Sequence, residues 1–194
     1  MVISFNRLGI NIKVMEYKDL LDKAKNYSRI IVTGPQRSGT TYCAYILAKD
    51  LDYPHFDEKI FNSGNYNKFK NYVSKNNYVL QTAVFTYCLQ DINLESTLII
   101  WMDRDNKDIA ESEKRIKWKG LKGTKNRYIK YYPQYEDLIN SFKENSPLKK
   151  HFFDKIQIPE METDWIKVPY DILTQTSEFK IKEERKKFKP KQIK

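Results

Sequence analysis

At 194 residues the chain has the length of one domain with a real core, and its 40% hydrophobic and 14% aromatic content excludes general disorder. Two cysteines and two histidines are too few for a disulfide framework or a zinc cluster, and no apolar run reaches the length of a membrane span. The formal charge of +10 raises nucleic-acid binding as a reading, but a bias towards Lys, Asn, Ile and Tyr accounts for most of it, so nucleic acid is not the expected partner and part of the charge is left for an anionic cofactor or acceptor.

Residues 1–17 lack a basic region followed by an apolar block, so no secretory signal is expected. Residues 14–26 read as an amphipathic helix. Residues 30–32 (Ile-Ile-Val) form a short β-branched run, the pattern of a buried parallel strand. A loop bounded by Gly34 and Gly39 follows, then a helix from Thr40 to about Asp52, with Tyr42, Ile46 and Leu47 on one side. Pro54 prevents further helix through residues 53–61. Residues 65–75 have helical spacing, with Tyr66, Phe69, Tyr72 and Val73 on one face, and residues 78–80 read as a short strand.

Residues 84–92 predict a helical turn or two. Residues 98–102 (Leu-Ile-Ile-Trp-Met) are the second strong buried strand, and residues 106–118 a helix. Gly120 and Gly123 break the chain in a basic loop over 119–125. A tyrosine-rich helix interrupted by Pro133 is expected over 125–144, and a last strand over 165–168. Cys43 and Cys88 read as buried free thiols, which suits a reducing, cytoplasmic setting. Strands alternating with helices predict an α/β fold with a central parallel sheet flanked by helices. It forms one domain over residues 1–177, with a basic tail over 178–194.

A strand, a glycine-bounded loop and a helix start make an anion cradle, because loop N–H groups and the helix N-terminus both present positive charge. The spacing from Gly34 to Gly39 matches the first half of the phosphate-binding loop Gly-x-x-x-x-Gly-Lys-Ser/Thr. Thr40 stands where the lysine belongs, and the cation comes earlier, at Arg37. A kinase or ATPase needs that lysine on the β- and γ-phosphates, so the loop is expected to bind phosphate without ordinary ATP hydrolysis.

Three stretches carry a resemblance to one family. Arg37-Ser38-Gly39-Thr40-Thr41 resembles the 5′-phosphate loop of the sulfotransferases that use PAPS (3′-phosphoadenosine 5′-phosphosulfate). Arg104, after the second strong strand, is followed eight residues later by Ser112, with Lys107-Asp108-Ile109-Ala110 between them. This resembles the family's 3′-phosphate motif: an arginine fork and a helical hydroxyl. Val168-Pro169-Tyr170-Asp171-Ile172-Leu173 looks like the family's late segment, whose tyrosine lies near adenine. Together the matches span residues 28–175.

The resemblance implies a three-layer P-loop sulfotransferase-like fold and transfer of a sulfuryl group from PAPS, as co-substrate and without a metal, to a hydroxyl or amine of a small-molecule or glycan acceptor. It implies that Arg37 contacts the 5′-phosphosulfate; that Ser38, Gly39, Thr40 and Thr41 hold the 5′-phosphate; and that Tyr42 and Tyr170 lie near adenine. Arg104 and Ser112 would hold the 3′-phosphate, with Arg115, one turn on, either assisting or simply solvated. The chain departs from the family twice. The histidine base of the cytosolic branch is missing, its place falling on Gln81 or Thr82. The glutamate base of the Golgi and tyrosylprotein branch corresponds to Glu58, with Asp57 or His55 as alternatives. The late basic Arg-Lys-Gly segment is absent, and the loop over 119–125 either covers the nucleotide in its place or is a plain connection. Two other readings stand beside this one: a kinase-like phosphotransferase, and a P-loop protein that binds nucleotide or nucleic acid without catalysis.

Overall fold

Five short strands lie side by side, all parallel, in the order β2-β3-β1-β4-β5. They are β1 Arg29–Thr33, β2 His55–Phe56, β3 Tyr78–Gln81, β4 Thr97–Asp103 and β5 Asp164–Pro169. The helices are α1 Tyr17–Ala24, α2 Thr40–Leu51, α3 Tyr66–Val73, α4 Asn106–Arg115 and α5 Glu136–Ser141, and a 3₁₀ turn, Tyr170–Gln175, follows β5. This computed structural model describes residues 15–61, 65–86, 89, 92–116, 125–126, 129–130, 136–141 and 164–176. The expectations for Cys88, for most of the 119–125 loop, for Pro133 and for the tail over 178–194 lie outside the described residues. Among the described residues no helix is long and apolar enough to cross a membrane.

The centre of the sheet is apolar on both faces, which is why its strands read as continuous hydrophobic runs. Ile30, Val32, Val79, Leu98, Ile100 and Met102 face one core, which takes in α1, α2 and the 3₁₀ turn through Leu20, Ile46, Leu47 and Leu173. Ile31, Leu80 and Ile99, alternating with them, face a second core closed by α3 through Phe69 and Val73, together with Phe56, Phe61 and Phe85. Edge-on, tilted and stacked ring pairs at 4.6 to 5.7 Å join Phe61, Phe69 and Phe85. The result is three layers, helix on sheet on helix, as the alternation of elements predicts.

β2 is the element that the chain order did not predict. It is a two-residue edge strand whose partners are Val79 and Leu80. The stretch after Pro54 is extended because β3 offers it a free edge: the Val79 N–H donates to the Pro54 carbonyl at 3.0 Å. The other strands and α1 to α4 appear where periodicity places them, within a few residues at their ends. Residues 83–86 form bends, and α5 with the helical residues 125–126 and 129–130 are the described parts of the helix expected over 125–144.

A parallel sheet has one consequence for function: every strand ends on the same edge. β1 is central, flanked by β3 and β4, so the loop leaving it stands mid-edge. The chain fills one side of β1 with β2 and β3 before crossing to β4 and β5. Such a switch point, at the carboxyl ends, is where open α/β sheets bind ligands.

Candidate functional site

The loop from Gly34 to Gly39 leaves β1 by a path that only glycine allows at its start. Gly34 has φ +129°, and a Cβ there would stand 2.7 Å from the Met102 carbonyl oxygen of β4. Arg37 itself is left-handed, with φ +72°, a conformation that bulky residues rarely adopt. The loop closes on itself through Ser38, which is fully buried; its N–H and its hydroxyl both donate to the Pro35 carbonyl, at 3.1 and 2.6 Å. Gly39, φ +97°, starts α2; a Cβ there would meet the Tyr170 ring at 2.7 Å.

The hydroxyls expected to hold the 5′-phosphate therefore divide. Ser38 spends its proton inside the loop. Thr40 is 4% exposed, and its Oγ1 accepts from the Gln81 amide at 3.3 Å. Of the three hydroxyls, Thr41 is the one left exposed, at the start of α2.

Four sequence-predicted residues meet beside the loop. Asp105 caps α4, accepting from the Lys107 N–H at 2.7 Å, and this starts the helix directly after Arg104. Ile109 anchors the inner face of α4 at 1% exposure, and Ser112, three residues on, lies on that same face at 4% exposure. Arg37 Nε and Nη2 donate to Ser112 Oγ at 3.0 and 2.9 Å. Arg104 Nη1 donates to the Arg37 carbonyl at 3.1 Å, and its guanidinium carbon lies 4.0 Å from the centre of the Tyr170 ring. Asp108 flanks Arg104 Nε at 3.7 Å, and that Nε is buried with no hydrogen-bond partner among the described residues.

Three guanidinium groups thus share one corner. Burial lowers the pKa of Arg37, and the charges of Arg115 and Arg104 lower it further, while Glu113 and Tyr170 oppose them in part. Like charges gathered at a loop, a strand end and the last turn of α4 repel one another, and a bound anion relieves that repulsion. Arg115, exposed in the last turn of α4, adds its charge to this cluster. Tyr42 packs, partly buried, against the first core, and Tyr170 lies under Arg104.

The expected bases stand at the end of β2, on the same edge of the sheet. Glu58 Oε1 accepts from the backbone N–H of Ala83, from that of Val84 at 2.7 Å and from Thr82 Oγ1 at 3.4 Å. The carboxylate thereby orients the segment after β3, which is tied back to β1 by Thr82 N–H to Val32 O at 3.0 Å and by the Thr33–Thr86 hydroxyl pair at 2.6 Å. Asp57, 6% exposed, accepts from the Lys59 N–H at 2.8 Å and closes the turn after β2. Gln81 and Thr82, where the cytosolic branch would place its histidine, are both buried. Among the described residues no group of His, Cys, Asp or Glu could hold a metal ion.

His55 has its ring edge-on to Tyr45, and its Nε2 is buried without a partner among the described residues. Burial lowers its pKa from 6.5, against a smaller opposite pull from Asp57. The unfolded imidazole therefore binds its proton more tightly than the folded one. That contribution to stability is complete above pH 6.5 and is lost as the pH falls below it. Urea unfolding at pH 7.5, 6.5 and 5.5 is expected to show a decline on acidification that is shallower in His55→Gln. Parallel pH profiles for the two proteins would contradict the burial of a neutral imidazole.

No protein-family model matches the chain, and no curated protein matches it. Solved structures do match. A shikimate kinase from Acinetobacter baumannii, in complex with shikimate, is 15% identical over 70% of this chain and 94% of its own, with a TM-score of 0.39. The YorR protein of Bacillus subtilis, in complex with phosphorylated GDP, is 12% identical over 82% of this chain and 99% of its own, with a TM-score of 0.44. A shikimate kinase from Bacteroides thetaiotaomicron is 13% identical over 67% of this chain and 96% of its own, with a TM-score of 0.37. A likeness at these identities and scores carries no argument for an activity.

Proposed function

We propose that the chain is a P-loop group transferase whose nucleotide is a 3′-phosphorylated adenosine, and that it moves a sulfuryl group from PAPS to a hydroxyl or amine of a small-molecule or glycan acceptor. One observation supports this above the others: Arg37, Arg104, Ser112 and Tyr170, distant in sequence, converge on the loop at the switch point of the sheet. In this reading the loop N–H groups, Thr41 and Arg37 receive the 5′ end and stabilise the leaving phosphate. Arg104, aided by Arg115, receives the 3′-phosphate, for which its buried, unbonded Nε has donor capacity. Glu58, its carboxylate fixed by the amides of Ala83 and Val84, takes the proton of the acceptor. A fixed orientation is what a general base requires. Thr40 and Ser38 serve the loop rather than the ligand.

Kinase-like phosphotransfer is the second reading. The exposed Thr41 keeps the Ser/Thr place of the phosphate-binding loop, and the arginine cluster would have to supply the charge that the missing lysine supplies elsewhere. The YorR and shikimate kinase likenesses point the same way by name, too distantly to be argued from.

Thermal unfolding with ligand separates the readings. Adenosine 3′,5′-bisphosphate at 100 times its Kd is expected to stabilise the chain by about 2.7 kcal/mol, roughly 5–10 °C in Tm for a chain of this size. ATP with magnesium is expected to give a much smaller shift at the same concentration. Equal shifts would remove the case for a 3′-phosphate pocket and favour the kinase reading. Transfer of radiolabelled sulfate from PAPS across phenols, alcohols, amines and glycans then tests the reaction. A bisphosphate shift with no transfer to any acceptor leaves a binding protein.

A further inference from the structure

We propose that Ser112 is a positioning residue for Arg37, through which α4 sets the direction the loop cation faces. The inference rests on the nucleotide reading above and changes the task of Ser112 within it: the hydroxyl acts on the 5′ end through Arg37, besides anything it does at the 3′ end. A hydroxyl offers two acceptor lone pairs and one proton. Both hydrogen bonds to Ser112 Oγ come from one edge of the Arg37 guanidinium, Nε at 3.0 Å and Nη2 at 2.9 Å. Anchoring that edge leaves Nη1 and the outer N–H of Nη2 for a ligand, and the fork can no longer turn about its stem.

The backbone of the same residue is fixed as well. Arg37 is left-handed, and its carbonyl accepts from Arg104 Nη1 at 3.1 Å. Arg37 is thus held at its carbonyl by the end of β4 and at its guanidinium by α4. Ile109, buried on the same face of α4, determines where Ser112 stands, so the packing of the helix is converted into the aim of a loop side chain. The repulsion from Arg104 and Arg115 works against this placement, and without the hydroxyl it would turn the guanidinium away.

Ser112→Ala in the full chain tests the proposal with adenosine 5′-phosphate and adenosine 3′,5′-bisphosphate as probes. Loss of two hydrogen bonds to a charged group is expected to weaken adenosine 5′-phosphate, which has no 3′ group to read, by about tenfold. In the Arg37→Ala background the same change is expected to cost nothing further. A loss confined to the bisphosphate, with the 5′-phosphate unaffected, would overturn the proposal. A readout without ligand runs in parallel: exchange of the Arg37 Nε–H with water, its ¹⁵N signal assigned by its disappearance in Arg37→Lys. Slow exchange in the unsubstituted protein and an acceleration of about tenfold or more in Ser112→Ala are expected. Fast exchange in the unsubstituted protein, or no change on substitution, contradicts the positioning role. If neither adenosine ligand binds but the exchange accelerates, the nucleotide reading fails while the role of Ser112 stands.

Discussion

Glu58→Gln is expected to lower turnover by about 10²–10⁴-fold, the usual contribution of a positioned general base, with cofactor affinity and Tm nearly unchanged. The structure explains why the fold survives this change. The glutamine keeps an oxygen that can accept from the Ala83 and Val84 N–H groups and the Thr82 hydroxyl, as Glu58 Oε1 does. What it loses is the capacity to take a proton. Glu58→Ala is the necessary contrast: it strands two backbone donors at about 1–3 kcal/mol each, so Tm falls together with the rate. Stopped-assay rates and Tm measured on both variants separate the two tasks of the residue. Normal turnover in Glu58→Gln beside a destabilised Glu58→Ala would make the carboxylate an anchor for residues 82–86 and nothing more. His55→Ala and Asp57→Asn would then be the next rates to measure, with only a small loss expected for Asp57, whose carboxylate already closes its own turn.

Arg104→Ala is expected to weaken adenosine 3′,5′-bisphosphate by roughly 2 kcal/mol or more, a factor of about 30, because a charge-assisted fork is lost. Adenosine 5′-phosphate is expected to lose far less. Some loss is nonetheless expected there, because Arg104 also donates to the Arg37 carbonyl and so helps to hold the loop. Titration calorimetry with both ligands measures the difference. Equal losses would mean that Arg104 supports the loop and does not read the 3′ end. Tyr170→Leu removes the face on which the guanidinium lies; because that ring is also read as lying near adenine, it is expected to weaken both ligands, the bisphosphate more.

What the sequence determined by itself was local. The apolar runs at 30–32 and 98–102 declare buried strands because their residues alternate between two cores, Ile31 and Ile99 on one face and Ile30, Val32, Leu98 and Ile100 on the other. Gly34 and Gly39 declare the loop because a Cβ at either position collides with a neighbouring strand or ring. Arg37, Arg104, Ser112 and Tyr170 were legible as candidates through the resemblance of their stretches to one family's motifs. The tertiary structure decided which of them touch. Nothing local joins Arg37 to Ser112 across 75 residues or Glu58 to the amide of Ala83 across 25; a parallel sheet does so, by bringing every strand end to one edge. It also decided that Thr40 turns inward and Thr41 outward, because the first turn of α2 lies against Gln81 of β3. β2 was invisible for the same reason: a two-residue strand has no periodicity of its own and is extended only because the edge of β3 is there to bond it. Spacing along a chain encodes the elements, which are held by near neighbours, whereas a site at the edge of a sheet is assembled from strand ends that only packing brings together.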